Sequence, residues 1–436
     1  MIDAQVILWG KEIAAVTWDQ RTETSVFQFA PEFVPSGIQV APLTMPLRDG
    51  TFRFPALNRA TFKGLPGLLA DSLPDKFGNA LIDAWLVRQG RSADDFNPVE
   101  RLCYVGSRGI GALEYKPTIS GAPTQSAQLE VDALVQLAQR VLNSRKSLSG
   151  QLEGTEDDAE AIQNILQVGT SAGGARAKGI LAWNESTGEF RSGQVLADDA
   201  FTYWIMKFDG ISNNRDKELA DPQGYGLIEY AYHLMAVEAG VEMSRCRIHE
   251  EGGRSHFMTQ RFDRTPEGKK LHMQSLCAMR HFDFNEAGAY SYEQAIETCR
   301  DLGLRQTELE QQFRRAVFNV IARNQDDHVK NIAFLMDKSG DWNLSPAFDV
   351  AWSYNPAGAW TNRHQMTLNG KRDDFELDDL IALGNFADIK TRRAKSIVQS
   401  VAEAISNWLT FAETAGVDEG RATAIAKTHR LEIMSD

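Results

Sequence analysis

The chain has 436 residues, which is enough for two or three domains and a large hydrophobic core. Hydrophobic residues make up 43% and charged residues 24% of the sequence, as in ordinary globular proteins, so neither disulfides nor structural metal are needed for stability. The net charge of -13 makes the molecule as a whole a poor ligand for nucleic acid, and any DNA contact needs a local basic patch or a basic partner.

The cysteines and the amino terminus indicate the cellular compartment of the protein. Cys103, Cys246, Cys277 and Cys299 form no Cys-x-x-Cys pair, and the amino terminus lacks the basic and apolar segments of a signal peptide. We therefore predict reduced, mostly buried thiols in a cytoplasmic protein. No apolar run approaches the roughly 18 residues of a membrane span, and the eight histidines lack zinc-ligand spacing.

The first predicted domain, residues 1–115, consists of strands followed by a helix. Turn residues separate strands predicted at 6–9, 13–18 and 25–29. Helical spacing of hydrophobic residues predicts a helix over 75–88, and glycines punctuate a predicted strand pair over 104–115. Residues 117–128, rich in Pro, Gly, Ser and Thr, are the best candidate for a linker.

The second predicted domain, residues 129–265, begins with a helix near 130–143. The sequence then predicts a glycine loop at 170–176, strands at 179–183 and 203–208, a helix at 230–238 and a strand at 256–262. The third predicted domain, residues 266–436, is mostly helical, with helices at 397–411 and 419–433. Thr307 and Glu310 form a predicted capping box, and the helix that follows would deliver a polar loop at its carboxyl end.

Two features of the second domain suit a nucleotide. The loop around Gly173 and Gly174 carries little side-chain bulk, so its backbone N–H groups could approach phosphate oxygens, although such a loop can equally be a simple turn. Lys207 stands in an apolar strand and needs an anionic partner there, such as ATP phosphates, with Glu229 to orient it. The alternative is that Lys207 projects from an exposed edge strand.

The polar run at residues 325–331 carries the strongest signal in the sequence. Asp326 and Asn331 are five residues apart, and Asp349 follows eighteen residues later. A carboxylate near an acceptor hydroxyl, with an amide oxygen and a second carboxylate for magnesium, is what phosphoryl transfer requires. Alone, this run is also compatible with a polar turn after a helix. The order of glycine loop, strand lysine, helix glutamate and Asp-x-x-x-x-Asn loop favours a two-lobed kinase.

The sequence also resembles the HipA-like serine/threonine kinases, the toxins of bacterial type II toxin-antitoxin modules. The segments that carry this resemblance are Leu73-Pro74-Asp75, the glycines of 105–111, the phosphate loop 171–178, the hinge 260–264, the catalytic loop 326–331 and the metal-binding segment 344–349. The resemblance implies an α+β, kinase-like fold in two lobes. It also implies a β-rich amino-terminal lobe with an additional subdomain and an all-helical carboxyl-terminal lobe.

The resemblance assigns roles to individual residues. It implies that Asp326 is the catalytic carboxylate and that Asn331 and Asp349 hold Mg²⁺. Asp327 is the rival for Asp326, and we interpret it as a charge of the loop or helix end. The residues implied to bind ATP are Gly173, Gly174, Ala175, Arg176, Lys178, Lys207, Gln260, Phe262, His328, Lys330, Asn331 and Asp349, of which Gln260 and Phe262 line the adenine pocket.

Ser171 matches the serine that members of this family autophosphorylate, and Thr170 is an adjacent substitute acceptor. A phosphate there would repel ATP and switch the kinase off. Alternatively, Ser171 only caps a turn. Arg176 could tighten ATP binding or pair with phosphorylated Ser171.

The resemblance implies a kinase toxin that phosphorylates a protein serine, with an aminoacyl-tRNA synthetase as a candidate target. It also implies restraint by a small helix-turn-helix antitoxin of HipB type, through which the protein would meet DNA. One alternative is a catalytically silent corepressor, and another is a small-molecule kinase, against which the extra amino-terminal domain argues. The carboxyl-terminal basic cluster, comprising Lys390, Arg392, Arg393 and Lys395, is either a DNA contact or a solvated helix face.

Overall fold

A computed structural model describes residues 3–92, 96–119, 128–136, 138–139, 176–194, 197–211 and 224–434. The chain forms two compact units. The first comprises Met1–Gln223, His249–Met273 and Asp337–Gly340, and the second comprises Gly224–Ile248, Gln274–Met336 and Asp341–Asp436. The division into three domains that we predicted from the sequence stays a prediction.

The amino-terminal part of the first unit is an antiparallel sheet in the order β4-β3-β2-β1-β5. Its strands are β1 (Asp3–Leu8), β2 (Lys11–Asp19), β3 (Thr24–Phe29), β4 (Thr51–Phe52) and β5 (Leu113–Lys116). The β1–β2 hairpin turns at Trp9 and Gly10, whose φ angles of 50° and 82° suit a two-residue turn that follows the twist of the strands. The three strands predicted here are confirmed within three residues at each end.

Four helices accompany this sheet: α1 (Arg59–Phe62), α2 (Gly67–Ala70), α3 (Lys76–Arg88) and α4 (Pro98–Val105). The predicted helix over 75–88 is confirmed as α3. The predicted strand pair over 104–115 is confirmed only in its second strand, β5, because Tyr104 and Val105 end α4 and turns follow them. Asn97 and Glu100 form a capping box and Pro98 takes the first helical position, a start signal that the glycines further along obscured.

The rest of the first unit is built on a six-stranded sheet in the order β10-β11-β9-β7-β8-β6. The strands are β6 (Gln128–Leu129), β7 (Lys178–Trp183), β8 (Phe190–Ser192), β9 (Thr202–Lys207), β10 (Cys246–Glu251) and β11 (Arg254–Gln260), and β12 (His272–Ser275) follows. Two of the boundaries between the units fall within β10 and β12. Trp204, Met206 and Met258 of this sheet share one buried cluster with Phe77 and Leu81 of α3.

The second unit is mostly helical. Its helices are α5 (Tyr225–Glu238), α6 (Leu276–Arg280), α7 (Tyr292–Asp301), α8 (Gln306–Ile321), α9 (Leu377–Phe386), α10 (Thr391–Ser406), α11 (Trp408–Ala415) and α12 (Glu419–Ala426). Short 3₁₀ turns lie at Val34–Ser36 in the first unit and at Val329–Asn331 and Leu431–Met434 in the second. The prediction of an all-helical lobe needs one correction, since β13 (Ala333–Met336) and β14 (Trp342–Leu344) form an antiparallel hairpin.

Two helix predictions in this unit were wrong in detail. Helix α8 begins at Gln306, and its cap bond runs from the Arg305 backbone N–H to the Glu308 carboxylate (3.0 Å), so Thr307 already lies inside the helix. The helix predicted over 397–411 is two helices that meet at Asn407. All four cysteines are buried and free, and no helix in the described part of the chain is long and apolar enough to cross a membrane.

Candidate active site

The predicted catalytic loop follows α8 directly, as the sequence indicated. Arg323 adopts a left-handed conformation (φ 56°) and turns the chain out of the helix. The Gln325 N–H donates to the Ser353 carbonyl and the Ser353 N–H donates to the Arg323 carbonyl, both at 3.1 Å. These paired backbone bonds fix the start of the loop, so the direction of the next side chains is set by the backbone.

Asp326 is the accessible carboxylate of this loop. Its side chain is 28% exposed, and Oδ1 lies 3.8 Å from Nε2 of His328. The same Oδ1 accepts a hydrogen bond from the Trp360 indole at 2.7 Å. The backbone carbonyl of Asp326 accepts from Nδ2 of Asn331 at 2.9 Å. A carboxylate that is accessible and also oriented by hydrogen bonds can accept a hydrogen bond from an acceptor hydroxyl.

Asp327 has a different environment, since its side chain has no exposed surface. Its carboxylate accepts from Tyr292 Oη, His364 Nδ1 and the Gln365 backbone N–H, each at 2.7 Å. Burial opposes its ionisation, yet His364, Tyr292 and Gln365 lower the pKa of Asp327 below its usual value. Asp327 is therefore a charge of the loop, as we interpreted it, but a fully buried one. The residue is a buried anchor and cannot replace Asp326.

The tautomer of His364 follows from its second partner. Nη1 of Arg430 lies 2.9 Å from Nε2 of His364. A guanidinium only donates, so Nε2 accepts and Nδ1 carries the proton that His364 gives to Asp327. Arg430 also donates to Asp373, which Arg323 contacts at 3.4 Å. The carboxyl-terminal segment is thereby hydrogen-bonded to residues that contact Asp327 and Arg323.

A cavity of about 30 Å³ is lined in part by this loop. It is lined by the predicted metal ligands Asn331 and Asp349, together with Tyr292, Gln312, Asn324, Asp327 and His328. Asp349 is left-handed (φ 52°), a conformation that is uncommon outside glycine and frequent at functional sites. Because Nδ2 of Asn331 is bonded to Asp326, its Oδ1 can serve a cation.

Mg²⁺ prefers oxygen ligands and takes few from the protein when phosphates supply the others. The amide oxygen of Asn331 and the carboxylate of Asp349, which line one cavity, are therefore suitable ligands for Mg²⁺. Among the described residues, no group of three or more His, Cys, Asp and Glu side chains could hold a metal ion by itself.

Phe284 joins two of the predicted phosphate contacts. The His328 ring lies 5.6 Å from the Phe284 ring, and Nζ of Lys330 lies 5.1 Å from its centroid. An aromatic face next to a cation holds the charge without neutralising it. Sequence reasoning missed Phe284, because nothing in the local pattern distinguishes it from a core aromatic residue.

The predicted lysine ligands lie opposite each other in the first unit. Lys178 in β7 and Lys207 in β9 are partners in the antiparallel register. Strand β9 is flanked by β11 and β7, so the alternative of an exposed edge strand for Lys207 is excluded. Nζ of Lys207 lies 5.6 Å from the Phe257 ring. Nζ of Lys178 lies 3.8 Å from Oδ2 of Asp75, with both side chains 5% exposed.

The predicted hinge contacts the glycine run of the amino-terminal subdomain. Gln260 ends β11 opposite Trp204, and Phe262 follows, partly buried. Arg261 makes two bonds to Asp263 (2.8 and 2.7 Å), which also accepts from the Gly111 N–H at 2.7 Å. Burial raises the pKa of Asp263, but Arg261 and Arg264 outweigh it and leave that pKa well below its usual value. Two segments singled out separately in the sequence are thus one buried ion cluster.

The remaining predicted residues divide into two groups. Thr170, Ser171, Gly173, Gly174 and Ala175 lie outside the described residues, and Arg176 lies two residues before β7. The basic cluster lies at the start of α10 with Lys390, Arg392, Arg393 and Lys395 exposed. Arg393 of this cluster is paired with Glu310 of α8. All these roles stay predictions.

Comparison with known proteins identifies the family. The HipA-like C-terminal domain matches residues 170–409, and the HipA N-terminal domain matches residues 4–116. The chain therefore belongs to the HipA-like family, and the resemblance read from the sequence is confirmed. A search of curated proteins found no match.

A solved structure provides the comparison for the fold. A chain in the complex of the Shewanella oneidensis MR-1 toxin-antitoxin system HipA, HipB and its operator DNA is 16% identical, with a TM-score of 0.68. The alignment covers 99% of this chain and 96% of that one. This likeness confirms the predicted α+β, kinase-like fold.

Proposed function

We propose that the chain is an ATP-dependent protein serine/threonine kinase of HipA type. The observation that carries this proposal is the pair of adjacent carboxylates with separate environments. Asp326 is accessible and bonded through its backbone to Asn331, while Asn331 and Asp349 line one cavity. These are the groups that phosphoryl transfer to a hydroxyl requires, in an arrangement that a simple polar turn does not need.

When bound, ATP supplies the phosphoryl group and Mg²⁺ neutralises its charge. In the proposed reaction Asp326 orients the acceptor serine and takes its proton as the new O–P bond forms and the bond to ADP breaks. Asn331 and Asp349 hold the metal, and Gln260 and Phe262 bind adenine. The residues proposed for the phosphates are Gly173, Gly174, Ala175, Arg176, Lys178, Lys207, His328 and Lys330.

The test is transfer of labelled phosphate from ATP in the presence of Mg²⁺. Asp326→Asn keeps the shape of the side chain but cannot take a proton, so we expect at least about a hundredfold loss of incorporation. Asp378→Asn, at an exposed position in the first turn of α9, is the matched control and should retain activity. Equal incorporation by wild type and Asp326→Asn would overturn the assignment of the catalytic carboxylate.

Self-phosphorylation is proposed at Ser171, with Thr170 as the substitute acceptor. Two negative charges in a loop that cradles ATP would repel the nucleotide and inhibit the enzyme. Mass spectrometry of wild type after incubation with ATP should locate phosphate on Ser171, and Ser171→Ala should stay active for longer. Phosphate found only outside residues 170–171 would contradict this assignment.

A DNA-binding partner is proposed from the solved relative, which is recorded with HipB and operator DNA. The net charge of -13 is consistent with DNA contact through a basic partner. The target is proposed to be a protein, with an aminoacyl-tRNA synthetase as the candidate.

The solved complex with HipB and operator DNA also supports a second candidate function, a silent kinase fold that acts as corepressor. ATP binding without phosphotransfer, together with operator binding only in the presence of the partner, would favour it.

A further inference from the structure

The segment between Asp349 and α9 returns to the catalytic loop at Trp360. Nε1 of the Trp360 indole donates to Oδ1 of Asp326 at 2.7 Å. A hydrogen bond to a carboxylate is roughly twice as strong as one between neutral groups. The Asp326 side chain is 28% exposed and therefore accessible to an acceptor. The indole supplies a directional bond at the oxygen itself.

Trp360 is in turn fixed by Gln365, which is 3% exposed. The Gln365 backbone N–H donates to Oδ1 of Asp327 at 2.7 Å. Its side-chain amide donates to the carbonyls of Trp360, of Arg363 at 3.1 Å and of Gln325 at 3.4 Å. The strap, which we define as residues 360–365, is therefore bonded to the residues on both sides of Asp326 as well as to Asp326.

We infer that Trp360 is a positioning residue that sets the orientation of the Asp326 carboxylate for the acceptor hydroxyl. The inference rests on the proposed phosphotransfer and adds a residue to it. A carboxylate that must take a proton needs one of its oxygens aimed at the acceptor oxygen to within a few tenths of an ångström. The indole bond at Oδ1 restricts that rotation, and the Asn331 bond to the backbone carbonyl fixes the peptide that carries it.

The principal test is Trp360→Phe, which keeps an aromatic ring but removes the N–H donor together with part of the indole. We expect turnover to fall roughly ten- to hundredfold, the range that corresponds to one hydrogen bond to a charged group. The Michaelis constant for ATP should not change, since Trp360 is not among the residues proposed to bind nucleotide. A loss confined to ATP affinity, or an unchanged turnover, would overturn the inference.

Trp352→Phe is the matched control within the same segment. The Trp352 indole also donates one bond, to Oγ1 of Thr428 at 3.0 Å, but makes none to the catalytic loop. Both variants lose one indole bond and should lose some thermal stability, while turnover should fall only in Trp360→Phe. An equal loss of turnover in both variants would show a general effect of the segment and would count against a positioning role.

A second measurement tests the contact without reference to activity. The chain has nine tryptophans, and the indole signal absent from ¹⁵N spectra of Trp360→Phe identifies Trp360. Replacing Asp326 by Ala should move that signal, because the carboxylate acceptor is gone, and leave the Trp352 signal in place. An unmoved Trp360 signal would overturn the contact. A wild type without phosphotransfer, combined with a signal that does move, would overturn the proposed function instead.

Discussion

At the scale of single residues, two neighbouring carboxylates show how the same side chain acquires different chemistry. Asp326 remains accessible, whereas Asp327 is enclosed by donors from Tyr292, His364 and Gln365. Tyr292 lies 35 positions before Asp327 in the sequence, and His364 and Gln365 lie 37 and 38 positions after it. A local pattern cannot contain that information, which is why the sequence predicted a catalytic loop here but not the burial of Asp327.

Replacing Asp327 by Ala should destabilise the second unit severely. The change leaves three buried donors without an acceptor, and each such donor costs roughly 1–3 kcal/mol. We expect a loss of several kcal/mol in the free energy of unfolding, measured from denaturant midpoints. Asp378→Ala, at an exposed helix position, should change it by less than about 0.5 kcal/mol. Comparable midpoints for the two variants would mean that Asp327 is not an anchor.

At the scale of elements, the start of α3 is coupled to the start of β7. Asp75 caps α3 through a bond from the Gly78 N–H (2.7 Å), and its other oxygen lies 3.8 Å from Nζ of Lys178. The sequence predicted both elements, because hydrophobic spacing and turn residues are local signals. It did not predict that Asp75 and Lys178 meet, since their contact depends on how the elements pack together.

Asp75→Asn separates the two roles of Asp75. Asparagine caps a helix about as well as aspartate, so the helix start is kept while the charge beside buried Lys178 is lost. Removing one member of a buried ion pair typically costs roughly 3–5 kcal/mol, and we expect a loss of that order. The control is Asp418→Asn, which caps α12 at an exposed position through the Arg421 N–H (2.9 Å). If urea unfolding shows only a small change in the free energy of unfolding for both Asp75→Asn and Asp418→Asn, the Asp75–Lys178 pair contributes little to stability.

At the scale of the whole molecule, several buried histidines link folding to pH. Burial lowers the pKa of His233, His256, His272 and His429 from 6.5 to about 4 in each case. Composition shows only that the chain has eight histidines. Their burial is a property of the packed molecule, just as the different environments of Asp326 and Asp327 and the Asp75–Lys178 contact are. Sequence reasoning therefore reached the family, most elements and the candidate ligands, but not the contacts that tune them.

His272 provides a test of this linkage. It is fully buried, and its Nε2 lies 2.9 Å from the Val40 carbonyl, to which it donates. Because the folded pKa is about 4 and the unfolded pKa about 6.5, the unfolded chain binds the extra proton between these values. Stability from this group is therefore complete above pH 6.5 and falls as the pH decreases towards 4, by about 1.4 kcal/mol per pH unit.

His272→Gln retains an N–H donor for Val40 and removes the titrating ring. The free energy of unfolding should then depend less steeply on pH between 6.5 and 4, by about 1.4 kcal/mol per pH unit relative to wild type. The measurement is a series of urea unfolding curves across that range, with pH 7.5 as the reference for any direct cost of the substitution. Because no ring titrates in the variant, its curve should run parallel to that of wild type above pH 7 and diverge only below. Identical slopes in the acid range would mean that His272 is protonated as readily in the folded protein as in the unfolded chain.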